Sequence, residues 1–277
     1  MASERQHTLS VLVAALAAIG LTPAIAQQAA TSICGGEETA RATVSRIIDG
    51  RTFLLDDRRE VRLSGIEVPS VSTQDKDAAA ARNALVALAQ GDEVSLRRAE
   101  IPADRYGRIV AYAYTLRDGD ELFLQGEMIA AGLARAGDRI GTRNCAAELL
   151  NRERGARAAK LGLWADPDYN VLNAETVADV LARRGRFALV EGIVTSVRES
   201  GPTIYVNFGR RWSQAFTVTI SKRKERNFVA AGVDPKALEG RRVRVRGWVE
   251  ERGAGGETGV PWIEAAQPEQ IEFADRN

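Results

Sequence analysis

The stretch Ala42-Thr43-Val44-Ser45-Arg46-Ile47-Ile48-Asp49-Gly50-Arg51-Thr52-Phe53-Leu54-Leu55-Asp56 decides the fold. Residues 42–48 and 52–56 are rich in β-branched and apolar side chains, and the turn formers Asp49-Gly50 stand between them, so the segment reads as strand, tight turn, strand. Working outward, the same composition returns at residues 61–66, 93–98 and 108–114, which adds three more strands. One helix interrupts them: residues 75–90 hold Ala78-Ala79-Ala80-Ala81, Leu85, Val86 and Leu88, and Gly91 stands where a helix would stop. Two further helices are expected over 121–134, where Leu124, Met128, Ile129 and Leu133 form an apolar face, and over 145–160. Five strands with one inserted helix and two trailing ones predict a β-rich α+β fold built on a small Greek-key barrel.

Residues 165–186 read as a joining region, with Asp166-Pro167-Asp168 as punctuation and a short helix over 176–184. Strands follow over 187–197, 203–208, 216–221, 241–250 and 262–273, with a helical stretch at 224–231 before the fourth. That element order predicts a second, small OB-like β-barrel. Arg242, Arg244 and Arg246 alternate with Val243, Val245 and Gly247, so this strand is expected to bury one face and present a row of guanidinium groups on the other. The expected organisation is a signal segment over 1–26, a first barrel over 36–165, a linker with a short helix over 166–186 and a second barrel over 187–275.

Composition narrows the chemistry. With 277 residues, 45% hydrophobic and 27% charged, the chain has the material for folded domains. Its 38 Lys plus Arg against 37 Asp plus Glu leave a net charge of +1, so any site for a polyanion must be local. The one histidine, His7, lies in the segment read as removed, which excludes Ser-His-Asp triads, Cys-His dyads and His-ligated metal sites. That segment has Arg5, an apolar run over 9–21 and Ala24-Ile25-Ala26, the pattern of a cleaved secretory signal. The run is short for a span of ~20 residues, and Pro23 interrupts its end, so no membrane contact is expected of the mature chain, which would be periplasmic or secreted. Export predicts that Cys34 and Cys145 form a disulfide; two unpaired thiols or an intermolecular bridge are the alternatives.

Three segments carry a resemblance: Ile48-Asp49-Gly50-Arg51-Thr52, Val61-Arg62-Leu63-Ser64-Gly65-Ile66-Glu67-Val68-Pro69-Ser70 and Asp104-Arg105-Tyr106-Gly107-Arg108. In order and spacing they resemble the staphylococcal nuclease, or thermonuclease, family, whose pattern reads Asp-Gly-Asp-Thr, then Arg-Leu-x-x-Ile-Asp-x-Pro-Glu, then Asp-x-Tyr-Gly-Arg, and closes near Leu-Trp, here Leu163-Trp164. The resemblance runs from about residue 40 to 165 and implies an OB barrel and, in active members, calcium-dependent phosphodiester hydrolysis. Such chemistry needs cations on the phosphate oxygens and a carboxylate to activate water.

By position, Arg62 and Arg108 match the family's phosphate-clamping arginines, and Glu67 matches one carboxylate ligand with an added methylene. The catalytic positions are thus Arg62, Arg108 and Glu67, and substrate contact is expected of Arg62, Arg108, Arg51, Arg105 and Tyr106. Tyr112 and Tyr114 are read as barrel packing. Glu67 and Asp49 are the metal candidates. The departures are Arg51, where the family has a second carboxylate ligand, and Ser70, where it has the glutamate assigned to water activation. A cation in place of a ligand works against calcium, so no cofactor is expected, and calcium enters only if the nuclease site still functions. Nucleic acid or another phosphodiester is the expected partner. The first reading is a nucleic-acid-binding pseudo-nuclease; the alternatives are an active calcium-dependent nuclease with a rearranged metal site and an envelope module that binds a protein or glycan.

Overall fold

Strand β1 (Glu38–Asp49) turns at Gly50-Arg51 into β2 (Thr52–Leu55), and Asp49 Oδ1 accepts the Arg51 backbone N–H at 2.8 Å to close the turn. Gly50 is required by packing. A Cβ there would sit 2.7 Å from the Ala81 Cβ of helix α1 (Lys76–Ala89), which lies against the turn. The computed structural model describes residues 33–69, 76–117, 120–252 and 259–274; the expected signal segment 1–26 and Ser70 lie outside the described residues.

The chain continues through β3 (Glu60–Leu63) and the short β4 (Ile66–Glu67), and after α1 through β5 (Glu93–Ala103), β6 (Ile109–Arg117) and β7 (Asp120–Phe123). Helix α2 (Leu124–Ala130), β8 (Arg135–Ala136) and helix α3 (Arg143–Ala158) complete the first half. The sheet order is β3-β2-β1-β5-β6-β7, and a parallel pairing of β3 with β6, Val61 opposite Ile109, closes five strands into a barrel. Val44, Ile47, Phe53, Leu55, Val61 and Leu96 fill it, and Leu85, Ile129 and Leu149 seat the three helices on it. Each such side chain contributes at most ~1.5–3 kcal/mol on burial. Cys34 and Cys145 form a disulfide across 111 residues of sequence and tie the start of β1 to α3.

The second half holds β9 (Leu172–Asn173), α4 (Val177–Leu181), β10 (Phe187–Ile193), β11 (Ser196–Ser200), β12 (Thr203–Asn207), β13 (Thr217–Ser221), α5 (Glu225–Ala230), β14 (Arg242–Trp248), β15 (Glu250–Arg252), β16 (Val260–Glu264) and β17 (Ile271–Phe273). They form two sheets, β17-β14-β10-β9 and β11-β12-β13-β16-β15. Val190, Ile204, Val218, Phe228, Val245 and Ile263 share one apolar core between them. The described residues of both halves pack as one unit.

Several expectations change in detail. The helix expected over 121–134 begins only at Leu124, because Asp120–Phe123 pairs with β6 and places Phe123 opposite Tyr114. The strand expected over 187–197 breaks between Ile193 and Ser196, its two parts serving different sheets, and residues 262–273 likewise split between β16 and β17. The stretch 166–186 contributes β9, which pairs parallel with β10. The row Arg242, Arg244, Arg246 does not face solvent throughout. Arg246 is 1% exposed, because α3 of the first half covers it.

Candidate functional site

Three turns converge on a cleft of about 420 Å³: the Gly50-Arg51 turn, the Ser64-Gly65 turn between β3 and β4, and the β5–β6 turn that carries Asp104 and Arg105. Gly65 and Gly107 both have φ of +77°, a left-handed conformation that costs other residues strain. In the β5–β6 turn the Asp104 carboxylate accepts the Tyr106 and Arg108 backbone N–H groups at 2.9 and 3.1 Å and the Arg108 Nε–H at 2.7 Å. Burial opposes ionisation of Asp104, but Arg108 and these N–H groups hold its carboxyl below the usual range. The Asp-x-Tyr-Gly-Arg segment is therefore a self-capped turn.

Arg62 stands on β3 between Thr52 of β2 and Val110 of β6, and its side chain lines the cleft. Among the described residues no hydrogen bond or ion pair reaches its guanidinium. Burial, the Arg51 charge and more weakly the Arg108 charge push its pKa down, against the pull of Glu67 and Asp49. A half-buried, unpartnered guanidinium repelled by two others is stabilised by any anion that enters. Arg105 and Arg139 also line the cleft. Arg108 does not: it borders a neighbouring depression with Tyr106 and is held on Asp104. Tyr106 is 70% exposed, with the Arg105 and Arg108 guanidinium groups 5.0 and 5.3 Å from its ring centre. Tyr112 and Tyr114 are buried, their hydroxyls donating to the Ile140 and Cys34 carbonyls.

The metal candidates are engaged by Arg51. Its Nη1 lies 2.5 Å from Glu67 Oε2 and donates to the Ile66 carbonyl at 3.2 Å, while its backbone N–H occupies Asp49 Oδ1. Burial pushes the Glu67 carboxyl up, and the Arg51 and Arg62 charges counter this. Calcium takes six to eight oxygen ligands, several of them charged. Here a guanidinium stands against the one buried carboxylate, and among the described residues no three His, Cys, Asp or Glu side chains gather at one point. This donor set does not fit calcium.

Comparison with known proteins now adds to this geometry. Residues 60–166 match the family model described as "Staphylococcal nuclease homologue". A protein named "Micrococcal nuclease" from Shigella flexneri is 31% identical over 134 residues, covering 46% of this chain and 75% of that one. The chain belongs to the staphylococcal nuclease family. A second relative, "Protein ParB" from Escherichia coli, is 30% identical over 133 residues, 46% of this chain and 73% of its own. In this staphylococcal nuclease homologue the matched segment contains Arg62, Glu67, Arg105 and Arg108, whereas Asp49 and Arg51 precede it. The residues that sequence reasoning missed are Arg135, on β8, and Arg139, in the stretch that leads from β8 to α3. No motif marks them; only the β4–β8 pairing, with Glu67 opposite Arg135, brings that stretch to the site.

Proposed function

We propose that this family member binds nucleic acid or another phosphodiester in the cleft lined by Arg62 and Arg105, with Arg108 and Tyr106 at its border, and hydrolyses it slowly or not at all. The observation that carries the reading is the 2.5 Å contact of Arg51 with Glu67, which sets an organic cation against the carboxylate that a metal would need. The unpartnered Arg62 supports binding, since a phosphate supplies the anion that guanidinium lacks. Without a carboxylate-rich metal site the attacking water has no Lewis acid to lower its pKa. The apolar N-terminal run and the disulfide support export to the periplasm or beyond. Among the described residues no helix is long and apolar enough to cross a membrane.

The test is a titration of labelled single-stranded DNA with the purified protein at low salt, paired with a cleavage gel in calcium or chelator. Binding is expected to weaken in Arg62→Ala, with the slope of log K against log salt falling by about one. Chelator-sensitive cleavage by the unaltered protein would establish the active-nuclease reading instead. Failure to bind at low salt would favour a protein or glycan ligand.

A further inference from the structure

The Arg51–Glu67 pair has two faces. One lines the cleft of Arg62; the other lines a second cleft of about 310 Å³, whose far wall comes from β10, β14 and the segment that precedes them. Arg135, on β8 opposite Glu67, lines the same cleft and is only 7% exposed. Its guanidinium lies between two rings, 5.2 Å from the centre of Tyr169 and 5.0 Å from that of Phe187. Among the described residues no hydrogen bond or ion pair reaches it, and its Nε is buried without a partner. The two ring faces offset part of the cost of burying this cation, and an anion on its free N–H groups would offset more. Burial depresses the Arg135 pKa to about 10, against the more distant attraction of Glu153 and Glu67.

The neighbouring charges show what is left over. Arg51 is consumed by Glu67, and Arg183 by Asp168 at 3.2 Å. Asp49 accepts the Arg51 backbone N–H, and Arg186 is exposed at the rim. The cleft thus keeps Arg135 and Arg186 for an incoming anion. Beside them Trp248 is 41% exposed, with the Phe187 ring edge-on at 6.0 Å. A fixed guanidinium next to an exposed indole is a phosphate site next to a stacking surface. The rings that flank Arg135 hold its plane in place before any ligand arrives, so little side-chain order is lost on binding.

We propose that this second cleft holds one nucleotide unit, its phosphate on Arg135 and Arg186 and its base on Trp248. The unit is either a free nucleotide or one residue of a single strand. Apart from the Arg51–Glu67 pair, which walls both clefts, the assignment uses none of the residues on which the proposed phosphodiester site depends.

The experiment measures binding of inorganic phosphate, adenosine 5′-monophosphate and a single-stranded hexadeoxynucleotide at low salt to the full chain and to Arg135→Met, Arg186→Gln, Trp248→Ala and Arg62→Ala, with a thermal melt of each variant. Arg135→Met is expected to weaken nucleotide or strand binding at least about tenfold, the scale of one lost charge-assisted contact, without lowering the melting temperature. Trp248→Ala should weaken the monophosphate and the hexamer but leave inorganic phosphate unchanged. Monophosphate binding that is lost in these variants identifies a free nucleotide as ligand; hexamer binding alone, lost in the same variants, identifies a strand. If Arg135→Met does not fold, Arg186→Gln and Trp248→Ala decide the matter. Binding that falls in Arg62→Ala but survives in all three cleft variants overturns this inference and leaves the phosphodiester site standing. The reverse pattern overturns the phosphodiester site alone, and an unaltered protein that binds none of the probes overturns both.

Discussion

Replacing Arg246 tests how the two halves are held together. Its guanidinium, 1% exposed, donates to both carboxylate oxygens of Glu153 on α3 at 2.9 and 3.0 Å, to Glu272 at 2.5 Å and to the Ala136 carbonyl at 2.9 Å. Glu153 is equally buried and also accepts the Ala136 backbone N–H at 2.6 Å. Burial opposes its ionisation, and Arg246 with that N–H holds its pKa below the usual range. Arg246→Met leaves the carboxylate with Arg157 at 3.2 Å as its remaining cation, so the loss sits at the lower part of the ~3–5 kcal/mol typical of a broken buried pair. At ~2–4 °C per kcal/mol for a unit of this size, the melting temperature should fall by ~6–12 °C. Adding Glu153→Gln removes the stranded charge and keeps an acceptor for Ala136, so the double variant should recover about 2 kcal/mol over the sum of the two single losses. Urea midpoints followed by tryptophan fluorescence give the full cycle. Additive single effects, or an Arg246→Met protein as stable as its parent, refute the reasoning.

Two further predictions concern stability. Reducing the Cys34–Cys145 bridge, or replacing both cysteines with serine, should lower unfolding free energy by ~4–5 kcal/mol less native strain, because the bond closes a loop of 111 residues; melts with and without reductant read this, and coincident curves contradict it. Arg41 and Ser95 hold the Glu38 carboxyl down to about 2, and Glu153 and Asp104 also lie below their ordinary values. Folded-state values below the unfolded ~4 mean that these groups stabilise the fold above that pH and cease to do so as pH falls through the folded values. The urea midpoint should therefore drop between about pH 4.5 and pH 2, and a midpoint flat across that window contradicts it.

The first barrel was legible because its strands are short runs rich in β-branched, apolar and aromatic residues set between turn formers, and Asp49-Gly50 marks the first turn. Asp120–Phe123 was not, since its strand character comes from pairing with β6 and not from its own composition. The breaks at residues 194–195 and 249 were equally silent: the chain passes from one sheet to the other within a run of β-formers. At the site, the resemblance matched Arg51 and Glu67 to two ligand positions of the family, and a two-residue turn and a short strand bring the two side chains together. It gave no sign that the Asp104 turn holds Arg108 on its own carboxylate, although the Arg108 charge still acts on Arg62. Arg246 read as one of a row of exposed guanidinium groups, and nothing in the sequence marked Arg135, because their surroundings come from distant parts of the chain: Glu153 is 93 residues from Arg246, and Phe187 belongs to the other half from Arg135.

The central claim is that the Arg51 guanidinium stands where a divalent ion would otherwise be held. At ~4 Å and an effective dielectric of ~20, a +1 charge repels a +2 ion by about 8 kcal/mol, enough to abolish binding even if most of it relaxes. The direct measurement is calorimetric titration of calcium into the unaltered protein, Arg51→Asp and Arg51→Asp with Ser70→Glu. The account predicts no saturable binding below millimolar calcium in the first and a measurable site in both variants. Tight calcium binding by the unaltered protein, unchanged or weakened when Arg51 becomes Asp, would contradict it.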